Sequence, residues 1–229
     1  DAGGWTPTTY QPAICLLNSG GQINIDRIMF FEVFDGLSIG STGAPVGRTV
    51  VRDMQGACYH TCITGVFAAD VTYFDHLEFY VFQAGTNKLA YMQQHATAIL
   101  LYRLDAPTFL NTFVLGYQVA LQTVPSTDGV TSDMKITNFR AEAVQFGWQI
   151  QQCTNLQATN VFLSAQAVGV VTPIASSIGI NVPGNSCSNS PDFVAFMQIS
   201  NLYMVNFAQY CIASNAFDIS VTNYTCDKW

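Results

Sequence analysis

The sequence predicts an all-β solenoid, because a strand-like phrase returns at nearly constant spacing. In the second half of the chain the phrase ends each time in asparagine, and the steps between these asparagines are 22, 21, 20 and 22 residues. A period near 20 residues is typical of solenoids, whose coils bury their apolar faces against their neighbours. Within each phrase apolar and polar residues alternate, which is the period of a β-strand. Asparagine tolerates positive φ, so we expect a corner there, with the amides stacked in a ladder. The predicted ladder is Asn138, Asn160, Asn181, Asn201 and Asn223.

A second phrase precedes the first and is found in both halves of the chain. It covers residues 14–28, 61–74, 148–161 and 210–224, each with a short strand, a turn of small residues, a second strand and a corner. This layout resembles the right-handed parallel β-helix of the pectin-lyase-like superfamily, and among its members the tailspikes and other virion appendages of bacteriophages. The resemblance implies a single-stranded right-handed parallel β-helix with its asparagine ladder between the second and third strands. Arg27 and Tyr73 stand where the first half of the chain would need asparagine.

The length of 229 residues corresponds to one solenoid of about eight to ten coils, each of roughly 20–23 residues. We expect an N-terminal arm or cap over residues 1–13, since a solenoid has to cover the strand edges of its end coil. A single β-helix domain follows over residues 14–229, with irregular coils at 14–133 and regular coils at 134–226. Polar residues between Gln83 and Ala96 predict a projecting loop.

The composition indicates a covered outer surface. Hydrophobic residues make up 49% of the chain and charged residues only 10%, against about a quarter in typical domains. Identical subunits are the simplest cover, and a homotrimer is favoured. The alternative is an extracellular or fibre-forming surface rich in threonine, asparagine and glutamine. Residues 97–121 are apolar on both strand faces and are the best candidate for the subunit interface.

The charge pattern excludes several partners. The net charge is −7, and the eight lysines and arginines are scattered, so no basic stripe is available to neutralise nucleic-acid phosphates. Because every long apolar run is interrupted by polar residues, we expect no membrane insertion.

The seven cysteines leave at least one thiol free or bonded to another chain. We interpret them first as small buried hydrophobic residues in a reduced protein. A disulfide between Cys58 and Cys62, or between Cys187 and Cys226, is the alternative. Cys58 and Cys62 have no second pair of ligands at zinc spacing. We therefore predict neither a metal nor another cofactor.

Two groups of carboxylates could carry catalysis: Asp26, Glu32 and Asp35, and then Asp70, Asp75 and Glu78. Glycoside hydrolysis needs two carboxyl groups about 5–9.5 Å apart, and adjacent coils lie about 4.8 Å apart. The catalytic candidates are Asp70, Asp75 and Glu78, with His76 beside the last two. The alternative is that these acids are solvated outward residues or turn formers. The sequence motifs of polygalacturonases and pectate lyases, enzymes of the superfamily that the layout resembles, are not found in the chain.

Aromatic residues are frequent between positions 70 and 105. Sugar faces stack on outward rings while their hydroxyls bond to neighbouring polar groups, and alternate rings of a strand belong to the core. The carbohydrate-binding candidates are Tyr80, Tyr91 and Tyr102.

These observations predict a tailspike-like β-helix module of a virion appendage that binds cell-surface polysaccharide and is mainly structural and receptor-binding. Its expected location is the virion or the extracellular space. One alternative is a polysaccharide hydrolase or lyase with carboxylates in a groove or between subunits. The other is a structural subunit of an extracellular fibre or a virion shell.

Overall fold

The computed structural model describes residues 5–80, 86–166, 174–183, 194–215 and 218–227. In this part of the chain, the strands pair only in parallel, and one helix interrupts them. The elements are β1 (Ile14–Leu16), β2 (Ile23–Ile39), β3 (Thr49–Ala68), β4 (Thr72–Phe79), α1 (Thr86–His95), β5 (Thr97–Leu104), β6 (Thr108–Leu115), β7 (Val119–Thr123), β8 (Met134–Glu142), β9 (Phe146–Ile150), β10 (Cys153–Ser164), β11 (Ile178–Val182), β12 (Val194–Val205), β13 (Tyr210–Ser214) and β14 (Asp218–Asp227). The predicted all-β class is confirmed.

The chain returns to the same side of the molecule at every second strand. One series of neighbours runs β4–β6–β8–β10–β12–β14 and the other runs β5–β7–β9–β11–β13, and β3 joins both. The first part of β3 pairs with β4, whereas its second part, from Thr61, pairs with β5. Each strand thus stacks on the strand one turn earlier, which is the pairing of a solenoid-like winding.

An asparagine in the left-handed conformation bends each of β8, β10, β12 and β14. The φ angles are 56° at Asn138, 55° at Asn160, 55° at Asn201 and 51° at Asn223. The segments before this corner (134–137, 156–159, 197–200 and 219–222) form what we call the first face. The segments after it (139–142, 161–164, 202–205 and 224–227) form the second face. Strands β5, β7, β9, β11 and β13 form the third face.

The core fills the space between the faces because alternate residues of each strand point inward. Met134, Leu156 and Met197 are stacked in register and all three are buried. Buried aromatic rings pack along the same interior, as in the stacked pair Phe74 and Phe109, whose centroids are 4.5 Å apart.

Coil length varies, and this overturns one ladder assignment. Asn160 and Asn201 are direct neighbours although 41 residues separate them. Between them, β11 crosses the third face, where Asn181 pairs with Gln149 and Ala213. The prediction that Asn181 belongs to the ladder is therefore wrong. The even spacing misled because β11 has the same alternation as a first-face strand.

The expected loop before residue 97 is also wrong, since α1 occupies Thr86–His95. Met92 of this helix is fully buried, and its carbonyl accepts hydrogen bonds from the N–H groups of Ala96 (2.9 Å) and Gln118 (3.0 Å). The helix thus lies against the segment that follows β6. Leu100 and Leu110 remain half-exposed on the outside.

A disulfide joins Cys211 of β13 to Cys226 of β14. It links the third face to the second face at the last coil. The expectation of a fully reduced protein is wrong at this pair. The alternative pairing of Cys187 with Cys226 is also wrong, because Cys226 is bonded to Cys211. Cys187 itself lies outside the described residues. The thiols of Cys58 and Cys62 are free and buried.

Candidate functional site

The asparagine ladder is a continuous line of hydrogen bonds on the outside of the molecule. All its members are exposed, because the corner turns their side chains away from the core. Each amide nitrogen donates to the amide oxygen one coil earlier: Asn223 to Asn201 (2.9 Å), Asn201 to Asn160 (2.9 Å), Asn160 to Asn138 (3.0 Å) and Asn138 to Asn111 (3.0 Å). Four of the five predicted members are confirmed. Asn111 was missed because the step to Asn138 is 27 residues.

Charged residues continue the same column towards the N-terminus. Strand register aligns Arg27, Asp53 and His76 with the ladder, and their φ angles are 55°, 50° and 57°. Arg27 stands at the corner as expected. Tyr73 does not; it lies before the corner and pairs with Val50. These corner positions could have been identified in the sequence by any polar residue, and not only asparagine, within a stretch of alternating strand residues.

His76 is the centre of a polar cluster at this corner. Its Nδ1 lies 2.6 Å from Asp53 Oδ1, and its Nε2 lies 3.4 Å from Glu78 Oε1. Asp75 accepts a hydrogen bond of 3.0 Å from the Asn111 amide. The hydrogen bond with Asp53 raises the pKa of His76; burial is the next effect and opposes the rise, and the charges of Asp53 and Glu78 add to it. An imidazole between two carboxylates can hold or pass a proton.

The raised pKa of His76 predicts a pH dependence of stability. A folded-state pKa above the ordinary value of about 6.5 stabilises the fold below that value, and this contribution is lost as pH rises through the raised pKa. NMR titration of the His76 ring should give a midpoint above 6.5, and Asp53→Asn should lower it. Asparagine keeps the positive φ at position 53, so the variant tests the charge. An unchanged midpoint in Asp53→Asn would contradict the assignment.

The structure separates the three catalytic candidates. Asp75 and Glu78 both lie beside His76, on opposite sides of the corner. Asp70 lies in the turn before β4, where its carboxylate accepts a hydrogen bond of 2.6 Å from the N–H of Val71. Asp26 and Asp70, from the two carboxylate groups, do not stack on adjacent coils, because Asp26 is in register with Arg52.

A row of aromatic and charged side chains runs along the outside of the second face. Register places Glu78, Phe113, Arg140, Phe162 and Tyr203 on successive coils. The Arg140 guanidinium lies 4.9 Å from the Phe162 ring centroid, and the Phe162 and Tyr203 centroids are 5.5 Å apart. None of the five side chains is buried. We call these five residues the aromatic row.

The first face carries a shallow groove beside the ladder. It has a volume of about 470 Å³ and is lined by outward hydroxyl and amide groups from four coils, together with Lys135 at its edge on β8. Thr159 and Ser200 join neighbouring coils through a hydrogen bond of 3.0 Å between their hydroxyls. Gln157 and Gln198 are stacked in register beside them. The groove offers donors and acceptors, whereas the aromatic row offers ring faces.

The three tyrosines predicted to bind carbohydrate lie on different elements. Tyr80 follows β4 and lies 6.2 Å, between centroids, from Phe113 of the aromatic row. Tyr91 belongs to α1, where its ring contacts Trp5 at 5.6 Å. Tyr102 is on β5 of the third face. Only Tyr80 is thereby placed next to the aromatic row.

Within the described ranges, no group of three or more histidine, cysteine, aspartate or glutamate side chains is arranged to hold a metal ion. None of the helical structure in those ranges has the length and apolar character needed to cross a bilayer. Comparisons with protein-family models, with curated proteins and with solved structures found no match for this chain.

Proposed function

We propose that the chain is a right-handed parallel β-helix module of a virion appendage that binds cell-surface polysaccharide. The observation that carries this proposal is the aromatic row, in which Phe113, Phe162 and Tyr203 are partly exposed on successive coils together with Arg140 and Glu78. A polymer of sugar rings repeats along its length, as the coils do. Ring faces on the outside of such a winding can therefore contact several sugar units at once.

The contacts within the row favour a binding surface that is already ordered. Arg140 lies over Phe162, and Tyr203 donates a hydrogen bond of 2.9 Å to Asp227. Side chains held in this way lose less conformational freedom when a ligand binds. The polar groove on the other side of the ladder would supply hydrogen bonds to hydroxyl groups of the same glycan.

Replacing both Phe162 and Tyr203 with alanine is expected to weaken polysaccharide binding by about 10–100-fold, since aromatic anchors dominate binding surfaces. Binding to capsular and lipopolysaccharide glycans on an array would identify a ligand, and calorimetry would then compare the variants. The comparison variant is Gln157→Ala with Gln198→Ala, which changes the groove on the same two coils and should weaken binding less than the aromatic variant does. If the comparison variant lost binding and the aromatic variant kept it, the ligand would lie on the first face and the aromatic row would not be the site.

A homotrimer is part of this proposal. The charged fraction of only 10% and the half-exposed outward side chains Leu100, Leu110 and Leu115 support a partly covered surface. Light scattering after size exclusion should give three times the mass of 25.0 kDa. A monomer at every concentration would remove the trimer from the proposal.

The second candidate function is cleavage of the bound polysaccharide by a hydrolase or lyase reaction. The cluster of His76 with Asp53 and Glu78 favours it. Glu78 is both a neighbour of His76 and a member of the aromatic row, so a bound glycan would lie beside an ionisable pair. Glu78→Gln keeps the size of the side chain and its ability to accept a hydrogen bond, so it should abolish release of products and weaken binding much less than the replacement of Phe162 and Tyr203 does. Asp70→Asn is the control, because Asp70 lies outside the cluster. A wild-type protein that releases no products would leave binding as the function.

A further inference from the structure

Both ends of the winding present an open strand edge. Among the described residues, β14 pairs only with β12, and the part of β2 from Ile23 to Phe30 pairs only with β3. Residues 5–13 lie beside residues 32–35 of β2 and not along this part of it. An unpaired edge is a template on which another strand can extend the sheet. The winding could therefore be continued at either end.

The apolar core is open at the same two ends. Ile199 is 2% exposed, whereas its partner in register on β14, Val221, is only half-buried. At the other end Val51 is fully buried, and its partner on β2, Ile25, is half-buried. These two coils also carry large exposed hydrophobic side chains: Leu17, Met29, Phe31, Tyr210 and Tyr224. Contiguous apolar surface of this kind marks an interaction site.

The two ends match each other in order and in register. At the N-terminal end β1 lies on the third face and β2 then crosses the first and second faces; at the C-terminal end β13 and β14 do the same. The corner column runs from Arg27 to Asn223 through every coil between them. With the two corners superposed, residues 219–226 of β14 would face residues 23–30 of β2. The inward side chains would then meet as three apolar pairs: Ile219 with Ile23, Val221 with Ile25, and Tyr224 with Ile28.

The polar groups at the two ends are also complementary. Asn223 donates to Asn201 (2.9 Å), but no described residue donates to the amide oxygen of Asn223, although every earlier ladder oxygen accepts from the coil that follows it. Arg27, in the same column, has an 81% exposed side chain whose Nε alone is bonded, to Asp26 at 3.1 Å. Its remaining guanidinium N–H groups are donors. One end lacks a donor where the other end carries one, and Asp26 would face the uncharged Thr222.

We propose that copies of this chain associate head to tail, with residues 23–30 of one copy paired in parallel with residues 219–226 of another. Arg27 of the first copy would donate to Asn223 of the second, and β1 would lie over β13. A head-to-tail contact that does not close into a ring builds an open filament. The contact uses the strand edges of the end coils, so it is independent of the proposed glycan site and of the proposed side-by-side trimer, both of which use the outer faces.

The first measurement is the mass of the full chain over a concentration series, by sedimentation velocity, with negative-stain electron microscopy of the concentrated samples. The mass should rise in whole multiples of the species found at the lowest concentration, which we call the unit, and the images should show unbranched filaments one unit wide. A unit whose mass stays constant up to the highest concentration, without filaments, would overturn the proposal.

Two variants each block one end. Ile25→Lys and Val221→Lys place a charge in the inward column of an edge strand, which prevents edge-to-edge pairing. Each variant alone should remain a unit. A mixture of the two should form a pair of twice the unit mass and grow no further, because the intact C-terminal end of Ile25→Lys accepts the intact N-terminal end of Val221→Lys. Filaments of either variant alone, or no pairing between two variants whose circular dichroism is that of the wild type, would overturn the head-to-tail contact.

The controls test the register. Ser220→Lys adds the same charge at the neighbouring outward position of β14 and should associate as the wild type does. Arg27→Asn and Arg27→Asp both tolerate positive φ, but only asparagine keeps a donor for Asn223. Arg27→Asp should therefore weaken association about tenfold or more, and Arg27→Asn should retain it. Equal loss in these two variants would contradict the assigned corner pair. Loss of glycan binding or of the trimer would remove the proposed function and leave this contact in place.

Discussion

Replacing Trp148 with alanine is expected to destabilise the fold by about 3–5 kcal/mol, the range for a large buried aromatic residue. Trp148 is completely buried on β9, between Leu121 and Ile180 of the neighbouring coils. Its ring meets the Phe139 ring edge-on at a centroid distance of 5.6 Å. Alanine would leave a cavity that reaches three coils, and stacked coils can close it only by shifting their register.

Urea unfolding followed by far-ultraviolet circular dichroism measures this change without depending on the fluorescence of the deleted indole. Trp148→Phe should cost much less, since the indole N–H has no hydrogen-bond partner among the described residues and its removal offsets part of the lost packing. Phe196→Ala, at a ring that is 49% exposed on β12, should change the free energy of unfolding by no more than about 0.5 kcal/mol. A loss below about 1 kcal/mol in Trp148→Ala would contradict the described core.

The fold class could be predicted because strand alternation and corner asparagines are local features. The helix α1 could not, since its polar residues favour a loop on composition alone and its burial depends on contacts of Met92 with residues far ahead in the chain. Asn181 shows that a correctly predicted strand can still be assigned to the wrong face. Its phrase is correct for a strand, but only pairing partners reveal which face the strand occupies.

The candidate sites divide in a similar way. Glu78 and Tyr80 could be singled out from a local cluster, and the structure places both beside Phe113. The other members of the aromatic row lie on coils of unequal length, so their alignment follows only from register. The edge-on contact between Trp5 and Tyr59, with ring centroids 5.0 Å apart, is likewise one that no periodic pattern in the sequence indicates.

Asn160→Ala is expected to destabilise the fold by about 2–4 kcal/mol, because two effects add. Alanine at a φ of 55° is strained by roughly 1–2 kcal/mol. The ladder also loses the hydrogen bond from Asn160 to Asn138 and the one from Asn201 to Asn160, and each contributes about 0.5–1 kcal/mol net. The same urea titrations measure the sum.

Three further variants separate these effects and test the ladder itself. Asn160→Gly relieves the strain and loses only the hydrogen bonds, so its loss of stability should be about half of the loss in Asn160→Ala. Asn160→Asp keeps the oxygen that accepts from Asn201 but sets a carboxylate oxygen against the Asn138 amide oxygen, so its loss of stability should be at least as large as that of Asn160→Gly. Asn181→Ala, at a position with the same surrounding phrase but on the third face, should change stability by less than about 0.5 kcal/mol. Equal losses at positions 160 and 181 would mean that both asparagines turn corners, and the winding described by the strand register would then be wrong.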